Sequence, residues 1–198
     1  MTIDTSALKR AVLIVALLNL AYFGVEFSVA LRIGSVSLLA DSADFFEDAA
    51  VNFLIVAALG WSAARRARVG MLLAAVLLAP AIAFLWTLWH KLGAPIPPDA
   101  VSLSVTGLGA LAVNLFAAIL LARHRQHSGS LAKAAWLSAR NDALANVAII
   151  IAGLVTLRVH SVWPDIVVGL GIAIMNLDAA RVVWTAAREE HRLASAVS

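Results

Sequence analysis

The stretch SVSLLADSADFFEDAAVNFLIVAALGW, from Ser35 to Trp61, has the length and apolar content of a helix that crosses a bilayer, yet it carries Asp41, Asp44, Glu47 and Asp48. A span needs about 20 mostly apolar residues. A carboxylate at the bilayer centre costs about 2.5–3.5 kcal/mol on insertion scales, so four in one span are tolerated only where they face a cavity, a cation or one another. Charges so placed mark ion or proton pathways. At about 100° per residue, Asp41, Asp44 and Asp48 fall within about 60° of each other and form one acidic stripe, with Glu47 on its flank. Asp44 and Asp48 are stacked at i and i+4, about one turn apart. Two carboxylates in that relation can share one divalent cation, and protons can take the cation's place.

The rest of the chain reads the same way. It has 198 residues, 62% of them hydrophobic, with a mean hydropathy of +0.91. Those values exceed the range of soluble domains. Six apolar runs reach span length: Ala11–Leu31, Ser35–Trp61, Val69–Trp89, Val101–Ala122, Leu131–Leu157 and Ile166–Trp184. The expected architecture is all-α: a polytopic membrane protein with six transmembrane helices. Residues 1–10 form a cytoplasmic segment, 11–187 the membrane domain and 188–198 a short cytoplasmic tail. The absence of cysteine excludes disulfides and thiolate metal sites. No cleavable signal is evident, since the first apolar run is span-length.

The net charge of +3 is not a nucleic-acid signal, because the basic residues alternate between loops. Lys9, Arg10, Arg65, Arg66, Arg68, Arg123, Arg125, Arg188 and Arg192 fall on one side, and Arg32, Lys91 and Arg158 on the other. The positive-inside rule then places both termini in the cytoplasm. Trp61, Trp86, Trp89, Trp163 and Trp184 lie near helix ends, as an aromatic belt requires; packing between helices is the alternative. Arg32-Ile33-Gly34 makes a tight first hairpin, and the Pro- and Gly-rich run from Gly93 to Pro98 is the clearest loop. Asp165 is placed to cap span six. All five histidines lie in loops or at span ends. His124 and His127 are either a weak metal site or simply solvated.

Span five holds a second polar cluster: Ser138, Arg140, Asn141, Asp142 and Asn146. Ser138, Asp142 and Asn146 share one face at i, i+4 and i+8. Arg140 points about 160° from Asp142 and suits a partner on another helix, such as Glu47 or Glu26. Asn141 either bridges helices or faces a ligand. Pairing with arginine cannot explain the span-two acids, since only Arg140 lies deep in a span beside four carboxylates. Combining the clusters gives Asp44, Asp48 and Asp142 as candidate metal ligands, with Ser138 or Asn146 as a fourth oxygen donor. Asp41, Glu47, Arg140 and Asn141 are secondary polar residues. An all-oxygen set suits Mn²⁺ or Mg²⁺, and zinc also accepts carboxylates.

The run from Gly34 to Asp48 resembles the second-helix signature of the cation diffusion facilitator, or cation efflux, family: S-x-x-L-L-A-D-x-x-[HD]-x-x-x-D. Asn19 and Glu26 fit that family's N-x-x-x-x-x-x-E spacing in span one. The resemblance implies a six-helix, dimeric, proton-coupled exporter of Zn²⁺ or a related divalent metal in a bacterial inner membrane, and not an enzyme. It places Asp44, Asp48 and Asp142 as ligands, with no permanently bound cofactor. Two departures stand out. Ser138 occupies the first position of the span-five pattern [HD]-x-x-x-D. The chain also stops just after span six, so it resembles a short form without the cytoplasmic domain, and a homodimer would form through membrane helices. The competing expectations are a non-transporting, partner-binding protein with a degenerate site and, more weakly, a cation channel.

Overall fold

A computed structural model describes residues 5–58, 80–122 and 129–176, with side chains absent from that description for 5–8, 54, 55, 57, 58 and 129–139. Among the described residues all regular structure is helical. Helix α1 runs Thr5–Ile33, α2 Val36–Ala58, α3 over 80–93, α4 Ala100–Ala122, α5 Gly129–Val159 and α6 Trp163–Asn176. Three stretches are long and apolar enough to cross a membrane: Lys9–Ile33, Ala100–Ala122 and Arg140–Val159. Trp163–Asn176 is apolar but shorter as described. Trp61, Trp184, His124, His127, the basic loops around them and the tail lie outside the described residues.

The described residues bury a polar set inside the hydrophobic core and expose large apolar side chains. Asn19, Glu26, Asp41, Asn114, Asn146 and Asp165 are buried, while Ile14, Leu17, Val25, Ile82, Leu85, Val105, Ile119, Leu144 and Ile174 face outward. In water so many exposed large apolar side chains would be a liability. In lipid this is the ordinary solution, because tails solvate Leu and Ile while polar groups find partners inside. Trp86, Trp89 and Trp163 are 66%, 75% and 60% exposed, so they face outward instead of packing between helices.

Helices α1 and α2 pack as one pair and α4 and α5 as another, with α1 also touching α4 and α2 touching α5. Helices α3 and α6 lie against the first half of α2, where Phe84 and Leu88 meet Val36, Val162 and Ile166. The α1–α2 turn is set by Gly34, whose φ of 64° is in the left-handed region that a side chain disfavours. Ser35 N–H then bonds back to the Ala30 carbonyl at 3.0 Å, closing α1 in the manner of a Schellman turn. Ser35 also opens α2, since its Oγ accepts from Leu38 N–H at 3.1 Å. Asp99 caps α4 by accepting from Ser102 N–H at 2.8 Å, and its hydrogen bonds to Ser102 hold its carboxyl below the usual carboxylate range.

The expectation for Asp165 needs correction. It lies inside α6, and Ser161 Oγ accepts from Trp163 N–H at the start of that helix. The Asp165 carboxylate instead meets the first turn of α2, accepting from Val36 N–H at 2.9 Å and Ser37 N–H at 3.1 Å. A helix N-terminus offers unpaired N–H groups and partial positive charge, so a carboxylate fits there whichever helix bears it. Ser35 Oγ and Ser37 Oγ each donate at 2.7 Å, and Lys91 Nζ at 2.8 Å completes the shell. The knot ties α2, α3 and α6 together. At Gly169 an added Cβ would lie 2.8 Å from Ser37 N, so glycine is what lets α6 approach the start of α2.

Candidate metal site

Helix α2 presents Asp44, Glu47 and Asp48 to a cavity of about 150 Å³ whose other walls are Asn141 and Asp142 from α5 and Met175 and Asn176 from α6. The i,i+4 spacing on α2 stacks Asp44 over Asp48, and the α2–α5 contact sets Asp142 opposite them. The carboxyl of Asp142 lies within hydrogen-bonding range of Asp48, and Asp44 has Asp41, Asp142, Asp48 and Glu47 as acidic neighbours. Asp48 Oδ2 accepts from Asn19 Nδ2 at 3.3 Å, which brings α1 to the site's edge. Asn52 donates to the Asp48 carbonyl one turn along α2, at 2.8 Å.

Among the described residues no three His, Cys, Asp or Glu side chains converge into a group that could hold one metal ion. The acids share a cavity without closing round a single point. An ion entering it would meet carboxylates from two helices, the Asn141 and Asn176 amides and the Met175 thioether. Carboxylate oxygens accept many divalent ions, and a nearby thioether favours the softer ones.

The other expected site residues fall elsewhere. Asn146 does not line the cavity. Its Nδ2 donates to Asp41 Oδ2 at 2.5 Å and its Oδ1 accepts from Asn114 Nδ2 at 2.9 Å. Asp41 is fully buried beside Glu26, away from the cavity lining. Arg140 is exposed and donates to Asn141 Oδ1 at 3.3 Å. It does not serve Glu26, whose two oxygens are buried without a hydrogen-bond partner. The Ser138 side chain lies outside the described residues. Met175 and Asn176 were missed in the sequence, where the one available signal was the Asn176 amide at the end of the apolar stretch 166–175.

Carboxylates thus face one cavity from two helices, within helices whose outer faces are apolar. The model of the cation efflux transmembrane domain matches residues 12–189. The chain belongs to the cation efflux family. Members of that family are membrane proteins that transport divalent metal cations, so metal ions and lipid are this protein's partners. No curated protein matches the chain.

Proposed function

We propose that this cation efflux protein is a divalent metal cation/proton antiporter that exports Zn²⁺, or a related ion among Co²⁺, Cd²⁺, Mn²⁺ and Fe²⁺, from the cytoplasm. The observation that carries the proposal is the cavity in which Asp44 and Asp48 on α2 face Asp142 on α5. Metal binds to these carboxylates when they are ionised, and protons arriving from outside remove both charge and ligand capacity. Helices α2 and α5 must then close on the ion, which makes alternating access the natural cycle. The membrane topology in this reading is six spans with both termini cytoplasmic, in a bacterial inner membrane, as a homodimer joined through membrane helices. Ser138 lies one turn before Asp142 and is the first candidate to complete the set.

Uptake into liposomes tests the proposal. Purified protein is reconstituted, and each of the five ions is offered with and without a proton gradient. Gradient-driven accumulation of at least one is expected; its absence for all five overturns the proposal. A second reading has a specific observation behind it. Among the described residues no three acids converge, and the Asn146 amide is committed to Asp41 and Asn114. A protein with a degenerate site that binds or regulates a partner would fit those facts. Metal-dependent thermal stability separates the readings, because a bound ion stabilises by linkage and a degenerate site gives none.

A further inference from the structure

Glu26 on α1 is fully buried, and neither of its carboxyl oxygens has a hydrogen-bond partner. Facing it on α2 is Asp41, also fully buried, its carboxyl within hydrogen-bonding range. Asn146 supplies one proton to Asp41 Oδ2 at 2.5 Å, and Asp41 Oδ1 receives none. Three buried oxygens of two facing acids thus lack a donor. Unpaired carboxylates are costly away from water, and two of them repel each other strongly at low dielectric.

Among the described residues, the groups around the pair are neutral, acidic or already held. From α1, the Tyr22 hydroxyl donates to the Thr106 carbonyl at 2.6 Å. From α2 and α5, the neighbouring Asp44 and Asp142 are acids as well and bring no positive charge. From α4, Asn114 is neutral and donates to Asn146 at 2.9 Å. Lys91, the buried cation among the described residues, is held by Asp165 at 2.8 Å. A single proton satisfies two of the three oxygens, since a protonated Glu26 donates to Asp41 Oδ1 and the pair becomes an acid–carboxylate hydrogen bond, a short and strong kind.

We infer that Glu26 and Asp41 form a proton-holding site separate from the metal cavity, and that its proton is one of those exchanged for metal. The inference rests on the antiporter reading and deepens it. Asp41 precedes Asp44 by nearly one turn on α2, and Asn146 follows Asp142 by about one turn on α5. The Asp41–Asn146 bond is therefore a rung beside the cavity, on the same two helices. A cation entering the cavity and a proton on the pair repel each other, and pulling α2 and α5 onto the ion strains the rung. Metal and proton then exclude one another without sharing a ligand, which is a coupling free energy between two sites.

The full-length protein in proteoliposomes, with Zn²⁺ and Cd²⁺ as probes, tests this. Exchange of metal for metal needs no proton gradient, whereas accumulation driven by the gradient does. Glu26→Gln should keep metal exchange near the wild-type rate and lose gradient-driven accumulation. In infrared difference spectra, the wild type should show a protonated-carboxyl stretch that disappears on adding metal, and Glu26→Gln should lack that band. Asp41→Asn is the second variant, with the same two losses expected. Gradient-driven accumulation together with an unchanged band in Glu26→Gln overturns the inference and leaves the antiporter reading standing. Absence of any metal-sensitive carboxyl band in the wild type overturns it without a variant. A wild type that exchanges no metal overturns both.

Discussion

Asn146 Nδ2 donates to Asp41 Oδ2 across 2.5 Å, joining α5 to α2 one turn beyond the cavity. Its Oδ1 accepts from Asn114, so one buried amide ties three helices. Asn146→Ala leaves a buried acceptor on Asp41 and a buried donor on Asn114 without partners. The loss should be about 1–3 kcal/mol, read as a fall in the thermal unfolding midpoint of metal-free protein in detergent. Metal affinity should stay near the wild-type value, because Asn146 does not line the cavity. A wild-type midpoint with weakened metal binding would instead return Asn146 to the ligand set.

The difference between this finding and the sequence reading has a geometric cause. Helical spacing orders residues on one helix, so the stripe of Asp41, Asp44 and Asp48 and the face of Ser138, Asp142 and Asn146 were both legible. The cost of burying charge then said that these faces must look inward. What spacing cannot supply is the axial offset between helices. That offset pairs Asp41 with Asn146 and leaves Asp44 and Asp48 to Asp142. It also brings Met175 and Asn176 from α6 to the cavity, and sends Asp165 to the start of α2 instead of its own helix. The family signature identified the acids because it records their spacing, and it is equally silent on the offset.

Asp48→Ala and Asp142→Ala should each abolish metal transport in liposomes while leaving an inserted, folded protein. Each removes a carboxylate that faces the cavity, where an uncompensated charge is only a cost. Transport near the wild-type rate in either variant would take that residue off the pathway. Asn19→Ala should have a smaller effect of the same sign. Asn19 orients the Asp48 carboxylate at 3.3 Å, and loss of such an outer partner typically weakens metal affinity about 10–100-fold. Titration of the variant with Zn²⁺ measures it, and unchanged affinity would show that the bond does not orient a ligand.

Ser138→His should shift preference toward zinc, since imidazole is a better zinc ligand than a hydroxyl. The comparison is of Zn²⁺ against Mn²⁺ uptake in the same vesicles. An unchanged ratio would show that position 138 does not face the ion, leaving Asn141, Asn176 or Met175 to complete the set.

The Lys91–Asp165 pair should prove a stability element whose two halves depend on each other. Both side chains are buried, at 7% and 0% exposure, with 2.8 Å between Nζ and Oδ2. Asp165→Asn would leave the Lys91 ammonium buried against a neutral amide, and removing one partner of a buried pair typically costs about 3–5 kcal/mol. Lys91→Met should cost less, because Asp165 keeps its donors from Ser35, Val36 and Ser37. The double variant removes the stranded charge, so its loss should fall short of the sum of the single losses by about 0.5–3 kcal/mol, the range for side chains in contact. Unfolding of the four proteins under one set of conditions closes the cycle. Additive losses would mean that the serine hydroxyls and the first turn of α2 hold Asp165 by themselves, with Lys91 a bystander. A non-additive result makes the pair the fastening of α3 onto α2 and α6. Any cycle that moves α2 and α5 about the acidic cavity must then either carry α3 and α6 along with the start of α2 or break this bond.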